Sequence, residues 1–220
     1  MSILSAKRLA IIGSRDLAQL LAHHAIESKC YQEVVGFFDD FRPVGDPTPK
    51  GPVLGPIESL RHLHSDDRFD HFMVGIGYQH LAFRDRIFQE YAQDFPVGTV
   101  ISRGCTIDST AMVGRGSFLL PGCTLDAGVV LEDNCVLNTG VTIAHDSKVG
   151  ASTFLAPGVT LAGFIEIGSR CFLGTATVVI DSIKVASNVQ TGAGAVVVKN
   201  IEQSGLYLGV PARFAREVLR

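Results

Sequence analysis

Between residues 101 and 197 an aliphatic residue returns at every sixth position: Ile101, Ile107, Val113, Leu119, Leu125, Leu131, Leu137, Ile143, Val149, Leu155, Leu161, Ile167, Leu173, Val179, Val185, Thr191 and Val197. Only Thr191 departs from Ile, Leu or Val, and nothing is inserted. Four places after each anchor stands a second small or aliphatic residue, from Cys105 and Ala111 through Val141, Ser147 and Thr153 to Ala195. Residues two apart on an extended chain share a face, so the fifth residue of one hexapeptide and the first of the next both point inward. The third and fourth residues must then turn a corner. Pairs such as Pro121-Gly122, Asp133-Asn134, Thr139-Gly140, Pro157-Gly158 and Ala193-Gly194 suit that task. The pattern predicts short strands separated by corners, stacked about 4.8 Å apart in a solenoid.

The first hundred residues follow other periods. Residues 8–13 read as a buried strand, 16–27 as a helix, 33–38 as a second strand, 39–55 as a proline-rich loop, 69–75 as a third strand and 81–92 as another helix. Strand, helix, strand in that order predicts a small parallel sheet with a Rossmann-like start. The glycine fingerprint of a dinucleotide site is missing, because Gly13 is followed by Ser14, Arg15 and Asp16. The expected fold class is therefore an α/β Rossmann-like domain over 1–97 followed by a parallel β-helix over 98–220. The stretch Gly209-Val210-Pro211-Ala212-Arg213 is expected to end the coil and start a short C-terminal helix, with Pro211 at its first position.

Composition narrows the function classes. A net charge of −3 and the lack of a basic run argue against a nucleic-acid partner. The first 13 residues hold no signal-peptide core and no apolar run reaches membrane-spanning length, so a cytoplasmic protein without a membrane partner is expected. Cys105, Cys123, Cys135 and Cys171 all occupy the inward fifth position and read as core filler rather than metal ligands or disulfides. Six of seven histidines precede residue 81, so a zinc site built within the repeat is not expected. The seventh, His145, stands with Asp146 at a corner where most coils carry small turn residues. A corner breaks strand alternation and brings the carboxylate within reach of the imidazole, the pairing a general base near neutral pH requires. On the residues alone, a solvated surface pair is the plainer reading.

The repeat resembles the left-handed β-helix acyltransferases of the hexapeptide-repeat family. That resemblance implies a left-handed hand, three hexapeptides per coil and a homotrimer with active sites between subunits. It narrows to the bacterial nucleotide-sugar N-acetyltransferases of the bacillosamine and perosamine type, and to the related sialic-acid O-acetyltransferases. The matching segments are Ile12-Gly13, Gly36-Phe37-Phe38-Asp39-Asp40, Pro52-Val53-Leu54-Gly55, Gly75-Ile76-Gly77, Asn138-Thr139, Ala144-His145-Asp146, Ile167-Gly168, Cys171-Phe172-Leu173-Gly174 and Gly209 to Arg213.

This resemblance implies acetyl-CoA as co-substrate, no metal, and a nucleotide-linked amino sugar as acceptor in surface glycan synthesis. By the same resemblance His145 is the base and Asp146 its partner, with Asn138 nearby. Gly163, one coil beyond His145, becomes a candidate oxyanion donor, although an ordinary turn glycine is the bland alternative. Phe154, Gly163, Thr175, Ala193 and Pro211 are expected around the thioester or pantetheine. Gly13, Ser14, Arg15, Asp16, Asp39, Asp40 and Gly77 are expected around the nucleotide. Three departures are visible. Ser14-Arg15-Asp16 replaces a glycine- and histidine-rich turn, Asp146 is shorter than the usual Glu, and Phe154 stands where many members carry a second histidine. Sugar O-acetylation and a non-catalytic nucleotide-sugar-binding scaffold are the alternative functions.

Overall fold

The computed structural model describes residues 7–218. The start of the expected leader-free segment, residues 1–6, lies outside these. The chain opens with β1 (Arg8–Ile12), α1 (Asp16–Glu27), β2 (Glu33–Phe38), β3 (Pro47–Thr48), β4 (Gly51–Gly55), α2 (Leu60–Ser65), β5 (His71–Val74) and α3 (Leu81–Tyr91). The strands form one sheet in the order β3-β4-β2-β1-β5, parallel except for β3. The chain runs outward from β1 through β2 and β4, then returns to the other side of β1 for β5. A crevice at a strand-order reversal therefore opens at the carboxyl ends of β1 and β5.

One expectation for this region is corrected. Residues 39–55 are not a continuous loop: Val53 pairs with Phe37 and Gly55 with Phe38, so β4 extends the sheet. The prolines obscured it. Pro52 is tolerated because its far neighbour is a two-residue strand, leaving few ladder bonds to lose. Gly36 has φ 146°, and a Cβ there would lie 2.5 Å from the Pro52 carbonyl oxygen, so glycine permits the close approach. Also unpredicted is the helical turn Ile57–Ser59 leading into α2.

From Val100 the chain coils into a left-handed parallel β-helix of two-residue strands. Each strand pairs with the strand eighteen residues on, as in the column Thr106, Thr124, Thr142, Thr160, Val178 and Val196. Strands collect into three sheets, one per face of a prism. The anchors Leu119, Leu125, Leu131, Leu137, Ile143 and their successors, with Cys123, Cys135 and Cys171, fill the interior. The fourth residue of a hexapeptide adopts positive φ at most corners, as at Asn134 (60°), Asp146 (55°) and Gly158 (69°).

The three faces differ in what they present outward. One is docked against the N-terminal α/β region: Phe118, Leu120, Val136, Phe154 and Ala156 pack with Ala18, Leu21, Ala22 and Ala25 of α1. The second carries an alternating charge ladder, with Lys148 bonded to Glu132 and Lys184 to Glu166, both at 2.7 Å. The third presents the threonine and valine column above, without charge.

Arg84 of α3 joins the two parts. It is 1% exposed, and its guanidinium donates to Val74 O (2.7 Å), Ile76 O (3.0 Å) and Asn134 O (3.1 Å). Burial pulls its pKa down to about 10. Below it Asn134 donates to Ser152, Ser152 to Asp85, and Arg170 to the second Asp85 oxygen, all within 3 Å.

The expected C-terminal helix does not form. Instead a strand over Gly205–Leu208 adds to the docked sheet and a second, Arg213–Arg216, pairs antiparallel with it. The last coil leaves unpaired backbone groups on its edge, and pairing them outweighs the helix-start preference of Pro211. Pro211 lies in the exposed turn between these two strands. Among the described residues no helix is long and apolar enough to cross a membrane.

Candidate active site

His145 and Asp146 occupy the corner between the uncharged and charged faces. Positive φ at Asp146 swings its side chain back beside the preceding residue, and Asp146 Oδ2 lies 3.0 Å from His145 Nδ1. A carboxylate only accepts, so Nδ1 carries the hydrogen, and in the neutral ring that leaves the lone pair on Nε2. Both side chains are about half exposed. The Nε2 edge lies over Gly163: a Cβ built on Gly163 would sit 2.9 Å from Nε2 and 3.0 Å from Cε1. The missing side chain is what makes room for the ring.

Two contacts at this corner escaped the sequence reading. The ring of Phe164 meets His145 edge-on, with centroids 5.0 Å apart and planes at 90°, although Phe164 is 57% exposed and holds φ 57°. The amide of Gly163 donates to Asp181 Oδ1 at 3.0 Å. The donor assigned to an oxyanion thus already has a carboxylate partner. The signal was available, because stepping one coil beyond Gly163 reaches Asp181.

The other residues expected around the cofactor lie elsewhere, as does Asn138, expected on the substrate side near His145. Thr175 and Ala193 stack with Pro157 in one column along the corner between the docked and uncharged faces, and Asn138 stands one position before that column. Thr175, Ala193 and Pro157 are exposed, and Asn138 is half-buried. Within one chain this corner and the His145 corner sit at opposite edges of the uncharged face, so Asn138 is not brought beside His145. Phe154, expected around the cofactor, is enclosed within the chain. It is 6% exposed and packs against Tyr78 (5.6 Å) and Phe172 (5.9 Å), serving the contact between the two parts of the chain. Tyr78 itself stacks on Phe172 at 4.3 Å.

The predicted nucleotide-side residues gather at the crevice beyond β1. Gly13 has φ 90° and packs against the backbone of Gly75. Ser14 is buried and donates from Oγ to Asp39 Oδ2 at 2.5 Å, while Asp39 Oδ1 accepts the Phe41 amide at 2.9 Å. Asp40 Oδ1 accepts the Ile57 amide at 2.8 Å, capping the helical turn. Arg15 and Asp16 are exposed where α1 begins, and Gly77 lies across the crevice with open space where a side chain would stand. Arg42, unforeseen in the sequence, bonds Asp46 at 2.7 Å and brings Nη1 within 3.5 Å of Ser14 Oγ. Buried Ser14 and Asp39 offer an oriented carboxylate and Arg42 a cation, a pairing suited to a polar base and its phosphates.

No family model and no curated protein matches the chain. Among solved structures, the chain is similar to the acetyltransferase domain of PglB from Neisseria gonorrhoeae FA1090. The two are 30% identical over 95% of this chain and 100% of that domain, with a TM-score of 0.87. The same domain in complex with acetyl coenzyme A matches equally well. PerB from Caulobacter crescentus, in complex with CoA and GDP-perosamine, is 26% identical over 93% of this chain and 95% of its own, with a TM-score of 0.82. WeeI from Acinetobacter baumannii AYE shares the fold at 22% identity and a TM-score of 0.82.

Proposed function

Because the chain belongs to the hexapeptide-repeat nucleotide-sugar N-acyltransferases, we propose that it moves the acetyl group of acetyl-CoA to the amine of a nucleotide-linked amino-dideoxy sugar, with His145 as general base. The observation that carries this reading is the His145 ring, held by Asp146 at Nδ1 and set with Nε2 over Gly163.

The steps follow from those positions. Acetyl-CoA supplies a thioester carbonyl carbon. His145 Nε2 takes a proton as the sugar nitrogen bonds to that carbon, and Asp146 stabilises the imidazolium. A backbone amide at the Gly163 corner stabilises the charge gathering on the carbonyl oxygen. When the C–S bond breaks, the imidazolium returns its proton to the departing sulfur, and the base is restored.

A homotrimer with its sites between subunits completes the arrangement. Of the three prism faces, one is covered by the N-terminal α/β region and one carries the Lys-Glu ladder. The threonine and valine face, with Val178 36% and Ile180 41% exposed, is left for a second copy. If that face turns toward a threefold axis, the His145 corner of one copy meets the Asn138, Thr175 and Ala193 corner of the next. The small exposed residues there leave a clear path for a pantetheine arm. The N-terminal α/β region beside that corner would hold the nucleotide through Ser14, Asp39 and Arg42, with Gly13, Asp40 and Gly77 framing the crevice.

Thiol release from acetyl-CoA in the presence of UDP-, dTDP- and GDP-linked amino sugars tests the proposal, with His145→Ala alongside. Turnover with one acceptor, reduced about a hundredfold or more in the variant, is expected. A variant as fast as the wild type refutes His145 as base. Failure of every acceptor, together with no heat of acetyl-CoA binding, would return the chain to a binding scaffold.

A further inference from the structure

The amide that the proposed chemistry places at the thioester oxygen is the one Asp181 already holds. Gly163 N–H donates to Asp181 Oδ1 at 3.0 Å, from the next coil of the same corner. Corner amides elsewhere are met by a side chain one coil on in the same way: Arg115 N by Asp133 Oδ1 at 2.7 Å, and Ser169 N by Ser187 Oγ at 3.0 Å. Those caps stand at the corner between the charged and docked faces, not at the His145 corner. The cap at Gly163 lies against the residue whose space is taken by the His145 Nε2 edge.

We propose that Asp181 is a displaceable cap on the oxyanion amide. In the free protein its carboxylate oxygen occupies the hydrogen-bonding position that an acyl carbonyl oxygen needs. One N–H cannot serve both well, and a carboxylate left in place would oppose the negative charge that forms on the carbonyl oxygen. Asp181 is exposed, so on displacement its carboxylate turns into water and stays solvated. The cap therefore competes with the thioester, and it weakens acyl-donor binding by the factor with which it closes. For an exposed charge-assisted hydrogen bond that factor is about fivefold. This inference rests on reading the Gly163 amide as the oxyanion donor.

Calorimetric titration of acetyl-CoA and of free CoA into wild-type protein, Asp181→Ala and Asp181→Asn tests it, with steady-state kinetics on the same variants. Asp181→Ala is expected to bind acetyl-CoA about fivefold more tightly, with Asp181→Asn between it and wild type. Free CoA has no acyl carbonyl, so its affinity is expected to stay unchanged. The value of kcat/KM for acetyl-CoA rises in the same order, and the KM of the acceptor does not move. Unchanged or weaker acetyl-CoA binding by Asp181→Ala overturns the proposal. So does a parallel change in CoA affinity, or a rise in acceptor KM, which would make Asp181 an acceptor contact. His145→Ala, run beside these, separates the two readings. If it loses turnover while Asp181→Ala gains nothing, only the cap fails; if it keeps turnover, the underlying assignment fails.

Discussion

Replacing Gly163 by alanine sets activity against stability. The backbone of Gly163 does not lie in the left-handed region, so alanine adopts its conformation without strain. A methyl group there meets only the half-exposed ring of His145, at 2.9 Å from Nε2 and 3.0 Å from Cε1. Ordinary contacts begin near 3.5 Å, so the ring must retreat by about half an ångström. Retreat disturbs the 3.0 Å bond from Nδ1 to Asp146 and moves Nε2 off its line to the reacting amine. Displacements of about an ångström cost on the order of a hundredfold in rate, so a fall in kcat/KM between about tenfold and a hundredfold is expected. Stability should move the other way, because fixing a glycine position with alanine removes unfolded-state freedom worth about 0.4 to 1 kcal/mol. Thiol-release kinetics and urea unfolding of the same preparation supply both numbers. Wild-type kcat/KM would refute the placement of the ring over Gly163. A loss of activity together with a stability loss above about 1 kcal/mol would mean that the substitution acts through the fold.

Three further outcomes are expected. Asp146→Asn no longer fixes the Nδ1–H tautomer of His145, so kcat should fall about tenfold or more with the unfolding midpoint unchanged, and Asp146→Glu should recover most of it; equal loss in both variants would contradict an orienting role. Arg84→Met strips the partners from three buried carbonyls, Val74 O, Ile76 O and Asn134 O, and should lower stability by about 3 kcal/mol in urea unfolding; a change below about 1 kcal/mol would show that water replaces the guanidinium. Burial lowers the pKa values of His24 and His71, so the unfolded chain binds protons that the folded chain resists. The stability from these neutral rings is present above the unfolded value of about 6.5 and is lost as pH falls through the lowered folded values. The urea midpoint should therefore drop between about pH 7.5 and 5.5, and drop less in a His24→Gln, His71→Gln double variant; identical slopes would refute the assignment.

Much of this protein was decided by its sequence. The sixfold return of Ile, Leu and Val specifies the coil because period two within each strand and a corner in each hexapeptide leave one arrangement that buries every anchor. The strands at 8–12 and 33–38 and the helix at 16–27 were equally legible, each being a short segment with its own period and punctuation. The His145 and Asp146 pair stood out because it broke the pattern of small corner residues. Where local signals misled, tertiary pairing had overruled them. The prolines around β4 read as a loop, yet the exposed edge of β2 captured Val53 and Gly55. Pro211 read as a helix start, yet the open edge of the last coil took Gly205–Leu208 as a strand, and that strand in turn took Arg213–Arg216. Other features were placed in one column by the repeat, but their contacts were decided only by the fold. Neither the Nε2 edge over Gly163 nor the Asp181 carboxylate on its amide depends on neighbours in sequence. Each is a contact across coils, and such contacts exist only once a register of eighteen residues has stacked the corners. The same holds for Arg84, a charge that no local pattern would bury, which is kept inside because carbonyls from two separate parts of the chain converge on it.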